Sequence, residues 1–179
     1  MNNKIFSFLF ASLLWLSAGS AGIFAETLLV FTVNSVDMNA DEPDVRVVGL
    51  QSAVEEGIMS VLFNDGHIVF NAGVVSSNEK LDIASDRLSV RLAKNGGASW
   101  LLEVDLGYVS KGPEISLANA EYRLYHLNTD KEIISGEVSP AEVKSRPDQD
   151  DEELGEAMGE GIGYNVIRWL SDGSLAKFP

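Results

Sequence analysis

The sequence predicts a single α/β (α+β) domain, a mixed sheet with helices packed on it. Three observations lead there. Segments of strand-like alternation and of helical spacing take turns along the first half of the chain. The last three strand-like segments follow one another through short turns, as in an antiparallel meander. Once a leader is set aside, roughly 150 of the 179 residues remain, the ordinary size of one domain. The predicted order is β-α-β-α-β-β-β-α.

Each element has its own signal. Thr27 to Val36 is rich in β-branched and aromatic residues and apolar on both sides, which suits a strand covered on both faces. Asn39 to Asp44, with Pro43, is turn chemistry, and Asp44 is placed to cap the next helix. There Val47, Leu50, Val54, Ile58 and Val61 recur at helical spacing while Gln51, Glu55 and Glu56 occupy other faces. Asn64-Asp65-Gly66 ends that helix, and His67 to Asn71 is a short strand. Ser77 or Asn78 can cap a second helix with Leu81, Ala84, Leu88 and Leu92 as its apolar stripe. Asn95-Gly96-Gly97 stops it.

The period-two pattern is clearest in the next strand, where Trp100, Leu102, Val104, Leu106 and Tyr108 share one face and Glu103 and Asp105 the other. Lys111-Gly112-Pro113 turns the chain into a strand with Ala118, Ala120, Tyr122 and Leu124 on one side. Asn128-Thr129-Asp130 turns it again into Glu132 to Val138. The polar stretch from Pro140 to Asp151 is expected to be a mobile acidic loop. Glu152 to Leu170 then reads as a final helix, with Leu154, Met158, Ile162, Val166 and Trp169 buried and an acidic amino terminus that suits the helix dipole. Residues 26–170 form the domain and 171–179 a tail.

Residues 1–25 have the order of a secretory signal peptide: Lys4, an apolar run from Ile5 to Leu16, then small residues up to Ala25. The run is shorter than the ~20 apolar residues of a spanning helix. Cleavage near Ala25–Glu26 is expected, leaving no segment to insert in the membrane. The chain has no cysteine, so disulfides and thiolate metal sites are excluded, as is acylation of a new amino-terminal cysteine. Thirteen basic side chains, Lys4 among them, stand against 27 acidic ones, a balance that repels nucleic acid and anionic lipid.

The mature sequence resembles the small α/β domain shared by three groups of proteins. They are the periplasmic part of the curli secretion channel, the outer-membrane lipoprotein activators of penicillin-binding proteins, and the amino-terminal domain of the Tol-system translocation protein. The resemblance is carried by Leu28 to Asn34, by the run from Val61 to Phe70 (VLFNDGHIVF), by Gly96 to Leu102 (GGASWLL) and by Tyr122 to Ile134. Thr129-Asp130-Lys131-Glu132 departs from the group's threonine-glycine-glutamate turn by lacking the glycine and carrying an extra residue. The lipid-anchoring cysteine and the pore-forming hairpins of the channel are also missing. What the resemblance implies is a non-catalytic adaptor of the bacterial periplasm that binds another envelope protein, with no catalytic residue to transfer.

The search for chemistry is consistent with that expectation. His67 and His126 are the only histidines and do not have metal-ligand spacing. No nucleophile stands with a base, and phosphate-binding loops are absent. Asp148 to Glu153 lack the order of a calcium loop. Glu103 and Asp105, about 7 Å apart on one strand face, are explained as a solvent-facing edge. No catalytic, metal or cofactor residue is assigned. Two other sets stand out. Gly155, Gly159 and Gly163 recur every four residues in the last helix, which fits close packing within the domain or an interface with a partner. Trp100, Tyr108, Tyr122 and Tyr125 could line an aromatic pocket, the mark of the alternative function, a small-ligand binding module. The sequence leaves the oligomeric state open.

Overall fold

The computed structural model describes residues 25–34, 45–72, 88–111, 114–143, 146 and 148–171. The leader, the Asp44 and Ser77 or Asn78 caps, the Gly112-Pro113 turn and the tail beyond Ser171 lie outside the described residues. Within them are five strands, β1 (Thr27–Asn34), β2 (Ile68–Asn71), β3 (Trp100–Lys111), β4 (Glu114–His126) and β5 (Lys131–Val138). Four helices accompany them: α1 (Val45–Asn64), α2 (Leu88–Asn95), α3 (Pro140–Val143) and α4 (Asp151–Ser171).

The strands form one mixed sheet in the order β2-β1-β3-β4-β5. β1 lies parallel to both β2 and β3, with Leu28 opposite Val69 on one side and Trp100 on the other. β3, β4 and β5 pair antiparallel. This is the predicted meander. The turns use the expected residues: Gly66 ends α1 at φ 94° and Gly97 follows α2 at φ 73°, while Asp130 takes φ 51° between β4 and β5.

The sheet is covered unequally. α1 and α4 lie on one face over Leu28, Val30, Trp100, Leu102, Val104, Leu106, Tyr122 and Leu124, all buried. α2 covers the other with a smaller cluster of Leu29, Leu92, Ala93, Leu101 and Leu127. Burial on both sides explains the unbroken apolar run of β1.

Two local expectations change. Leu117 is buried and Ala118 exposed, the reverse of the predicted face. Gly107 pairs with Asn119 but Tyr108 pairs with Leu117, so Ala118 is the extra residue of a β-bulge and the alternation flips there. The stretch expected to be loop from Pro140 begins instead with α3. Its start, Ser139-Pro140-Ala141-Glu142, makes one half of a capping box: Ser139 N donates to Glu142 Oε2 at 3.0 Å, while Glu142 N donates to the Ser139 carbonyl at 3.1 Å. At the end of that stretch Asp150 caps α4, its Oδ1 accepting from Glu153 N at 2.8 Å.

Candidate functional site

The most connected set of polar side chains lies at the carboxyl ends of the parallel strands. β1 continues its α1-facing side, Leu28 and Val30, with Thr32 and Asn34. On α1, Gln51 and Glu55 are one turn apart and meet them. Thr32 Oγ1 donates to Glu55 Oε1, Gln51 Nε2 donates to Thr32 Oγ1 and Glu55 Oε1 at 2.7 and 3.0 Å, and Asn71 Nδ2 donates to Glu55 Oε2 at 2.8 Å. Asn34 Nδ2 donates to Gln51 Oε1 at 2.8 Å, and its Oδ1 accepts from Tyr108 Oη at 2.9 Å. Burial raises the Tyr108 phenol from its ordinary value of 10 to about 12.

The network joins β1, β2, β3 and α1. Its position is the place where the strand order reverses: β2 lies on one side of β1 and β3 on the other, with α1 over one face and α2 over the other. In open α/β sheets such points, beyond the carboxyl ends of the strands, commonly hold ligands. Among the described residues, the side-chain donors that reach Glu55 are all neutral.

Beside the network a groove of about 480 Å³ runs between α1 and β2. Ser52, Glu55, Glu56, Ser60 and Asn71 form its polar part, and Met59, Phe63 and Val69 its apolar part. Phe63 is 72% exposed and Ile68, on β2, 58%. No motif in the sequence marks this site directly. A signal was available in β1, where polar Thr32 and Asn34 continue a face begun by Leu28 and Val30 and so require polar partners.

The residues singled out from sequence are placed elsewhere. Gly155, Gly159 and Gly163 are buried and lie against α1 of the same chain. A Cβ on Gly159 would sit 2.1 Å from Val54 O, and one on Gly163 2.8 Å from Val61 Cβ. Gly57 of α1 answers them, since its own Cβ would be 2.1 Å from Glu156 O. The partner interface considered for this stripe is corrected: the glycines let two helices of the domain approach, and their face is covered from within.

The four aromatic residues do not converge either. Trp100 is buried against Trp169 and His126, with ring centroids 5.4 and 4.6 Å away. Tyr108 and Tyr122 lie on the same sheet face but are spread along the strands, Tyr122 opposite Val104 and Tyr108 opposite Leu117. Tyr125 packs in the cluster on the opposite face. An aromatic pocket shared by these four is therefore excluded by the pleat: neighbouring positions on a strand point to opposite sides.

The remaining chemical side chains have structural partners. His67 is buried, its Nδ1 accepting from Glu26 N at 3.2 Å; Nε2, 3.3 Å from Asp65 Oδ2, makes no aligned hydrogen bond. His126 Nδ1 lies 3.1 Å from Thr129 Oγ1. Ser89 Oγ donates to Glu103. Glu26 Oε2 accepts from Ser99 Oγ and Trp100 Nε1, each at 3.1 Å. Among the described residues no three His, Asp or Glu gather as a metal site, and no helix is long and apolar enough to cross a membrane.

No protein-family model and no curated protein matches the chain. Solved structures do. The chain is similar to the lipoprotein GNA1162 of Neisseria meningitidis at 20% identity and TM-score 0.43, over 83% of this chain and 99% of that one. It is similar to the carboxyl-terminal domain of LpoB from Escherichia coli at 18% identity and TM-score 0.40, over 70% and 90%. TolB of Acinetobacter baumannii matches at 8% identity and TM-score 0.41, over 83% of this chain and 29% of that one. At these scores they lend no residue or activity to this chain.

Proposed function

We propose that the chain is exported, loses its first 25 residues, and serves as a non-catalytic accessory protein that binds another protein of the cell envelope. The observation that carries this reading is the pairing of a leader whose charge and apolar run follow the order of a signal peptide with an uncharged, partly apolar sheet edge. Phe63 and Ile68 stand exposed beside β2, where a monomer gains nothing from them. His67, His126 and Glu103 each bind a neighbour within the fold, which supports the non-catalytic part of this reading.

Removal of the leader is compatible with the sheet. Glu26 is tied to His67, Ser99 and Trp100, and β1 starts at the next residue. Cleavage after Ala25 leaves these anchors in the mature chain. The test is crosslinking in the native envelope followed by identification of the captured protein. Repeated recovery of one envelope protein supports the reading. Recovery of none, under conditions that capture known envelope complexes, overturns it.

A further inference from the structure

We infer that the groove between α1 and β2 receives an extended segment of the partner, alternating basic and apolar residues, which adds to the sheet as a strand beside β2. This deepens the accessory-protein reading and rests on it. Ile68 N donates to Glu26 O at 2.9 Å, toward β1. Successive strand residues direct their amides to opposite sides, so Val69 and Asn71 turn theirs away from β1, to the outer edge of the sheet. Among the described residues β2 has a strand on one side only. Val69 and Asn71 are also the β2 residues whose side chains line the groove. Hydrogen-bonding edge and side-chain pocket therefore coincide, which is the arrangement that strand addition uses.

The two edges of the sheet differ in chemistry. β5 exposes Lys131, Glu132 and Glu137, charges of the kind that discourage edge pairing. β2, Ile-Val-Phe-Asn, has none. The occupant's charge follows from the lining. Among the described residues that line the groove, Glu55 and Glu56 are the charged ones and none is basic. The three hydrogen bonds to Glu55 leave its carboxylate with room for another donor, since a carboxylate offers about four acceptor sites. A Lys or Arg side chain supplies it, and an apolar neighbour meets Met59, Phe63 and Val69. A second copy of this chain is a poorer occupant: it would bring the same two carboxylates and a formal charge of −14 to the contact.

The test is titration of the isotopically labelled protein, purified from the envelope, with two capped nine-residue peptides, one alternating Lys and Val and the other Glu and Val. Amide shifts are followed by NMR. The Lys-Val peptide should move the amides of Val69 and Asn71, and the Glu-Val peptide should leave them unmoved. Glu56→Lys should weaken binding about fivefold or more, the scale of one exposed charge pair. Val69→Pro removes the outward donor at an edge position, where proline is tolerated, and should weaken it about tenfold. Glu56→Lys should keep the parent's urea midpoint, and Val69→Pro is compared with Val69→Ala, which loses the same packing on the core but keeps the amide and so should bind more tightly than the proline variant.

Equal binding of the two peptides, shifts confined to β5, or no binding overturns the proposal. So does a dimer whose contacts fall on Val69 and Asn71, or a tenfold gain in peptide affinity on deleting residues 172–179, which would make that tail the occupant. The two levels fail separately. An envelope partner crosslinked elsewhere on the surface removes the groove and leaves the accessory reading. Peptide binding without any captured envelope protein does the reverse.

Discussion

Gly57 and Gly159 meet where the two long helices cross, and a Cβ on either would stand 2.1 Å from a backbone carbonyl oxygen of the other helix. Glycine in a helix interior costs about 1 kcal/mol relative to alanine. The close approach offsets that cost by letting α1 and α4 pack backbone to backbone over the same sheet face.

Gly159→Ala should therefore destabilise the fold by about 3 kcal/mol or more, because the obstructing atom belongs to the backbone and cannot rotate aside. Gly161→Ala is the control. Its Cβ would meet Val138 Cγ1 and Val143 Cγ1 at 3.6 Å, an ordinary contact, so the better helix former should be neutral or stabilising by up to about 1 kcal/mol. Urea unfolding of the two variants measures both. Equal stability of the pair would remove the close-packing account of the glycine stripe.

Glu55→Ala should cost about 1–3 kcal/mol, since Thr32, Gln51 and Asn71 lose a shared acceptor. Glu56→Ala, on the exposed side of the same turn, should stay within about 0.5 kcal/mol of the parent. Thermal melts separate the two. A similar loss at both positions would mean that surface charge, not the network, matters at this end of the sheet.

Tyr108 predicts an alkaline dependence. Its folded value is raised from 10 to about 12 by burial, so the unfolded chain loses this proton first. The contribution is intact below pH 10 and is lost as pH rises from about 10 to 12. Tyr108→Phe forfeits the hydrogen bond to Asn34, about 1 kcal/mol, and should flatten that part of the curve. Unfolding free energies of both proteins across pH 8–12 test this; parallel curves would contradict it.

Asp150→Ala should cost about 1 kcal/mol through loss of the α4 cap. Asp150→Asn, a side chain that caps equally well, should restore most of it. Denaturation midpoints give the comparison, and a failure of Asn to rescue would assign the effect to charge at the helix amino terminus.

What was legible in the sequence was local. Period-two alternation located β3, and helical spacing located α1 and α4 with their buried stripes, because those patterns repeat within one element. The bulge at Ala118 was hidden, since a one-residue slip is defined by the partner strand. Gly155, Gly159 and Gly163 were visible as a stripe, but their partner Gly57 lies about a hundred residues earlier, and only the helix pair gives it meaning. The network of Thr32, Asn34, Gln51, Glu55, Asn71 and Tyr108 escaped for the same reason. Four elements contribute to it, and most of its hydrogen bonds span 16 to 74 residues of sequence. The Ser139-x-x-Glu142 start of α3 is written in the sequence, but the polarity around it favours a loop.

The central claim, that an envelope protein docks at the β2 edge, is tested most directly by a photo-crosslinking residue placed at position 63 and activated in intact cells. Position 164 on α4, where Tyr164 is 58% exposed, serves as the control surface. The account predicts one envelope protein joined through position 63 and none through 164. Only uncrosslinked chain from position 63, with an adduct formed at 164, would contradict it.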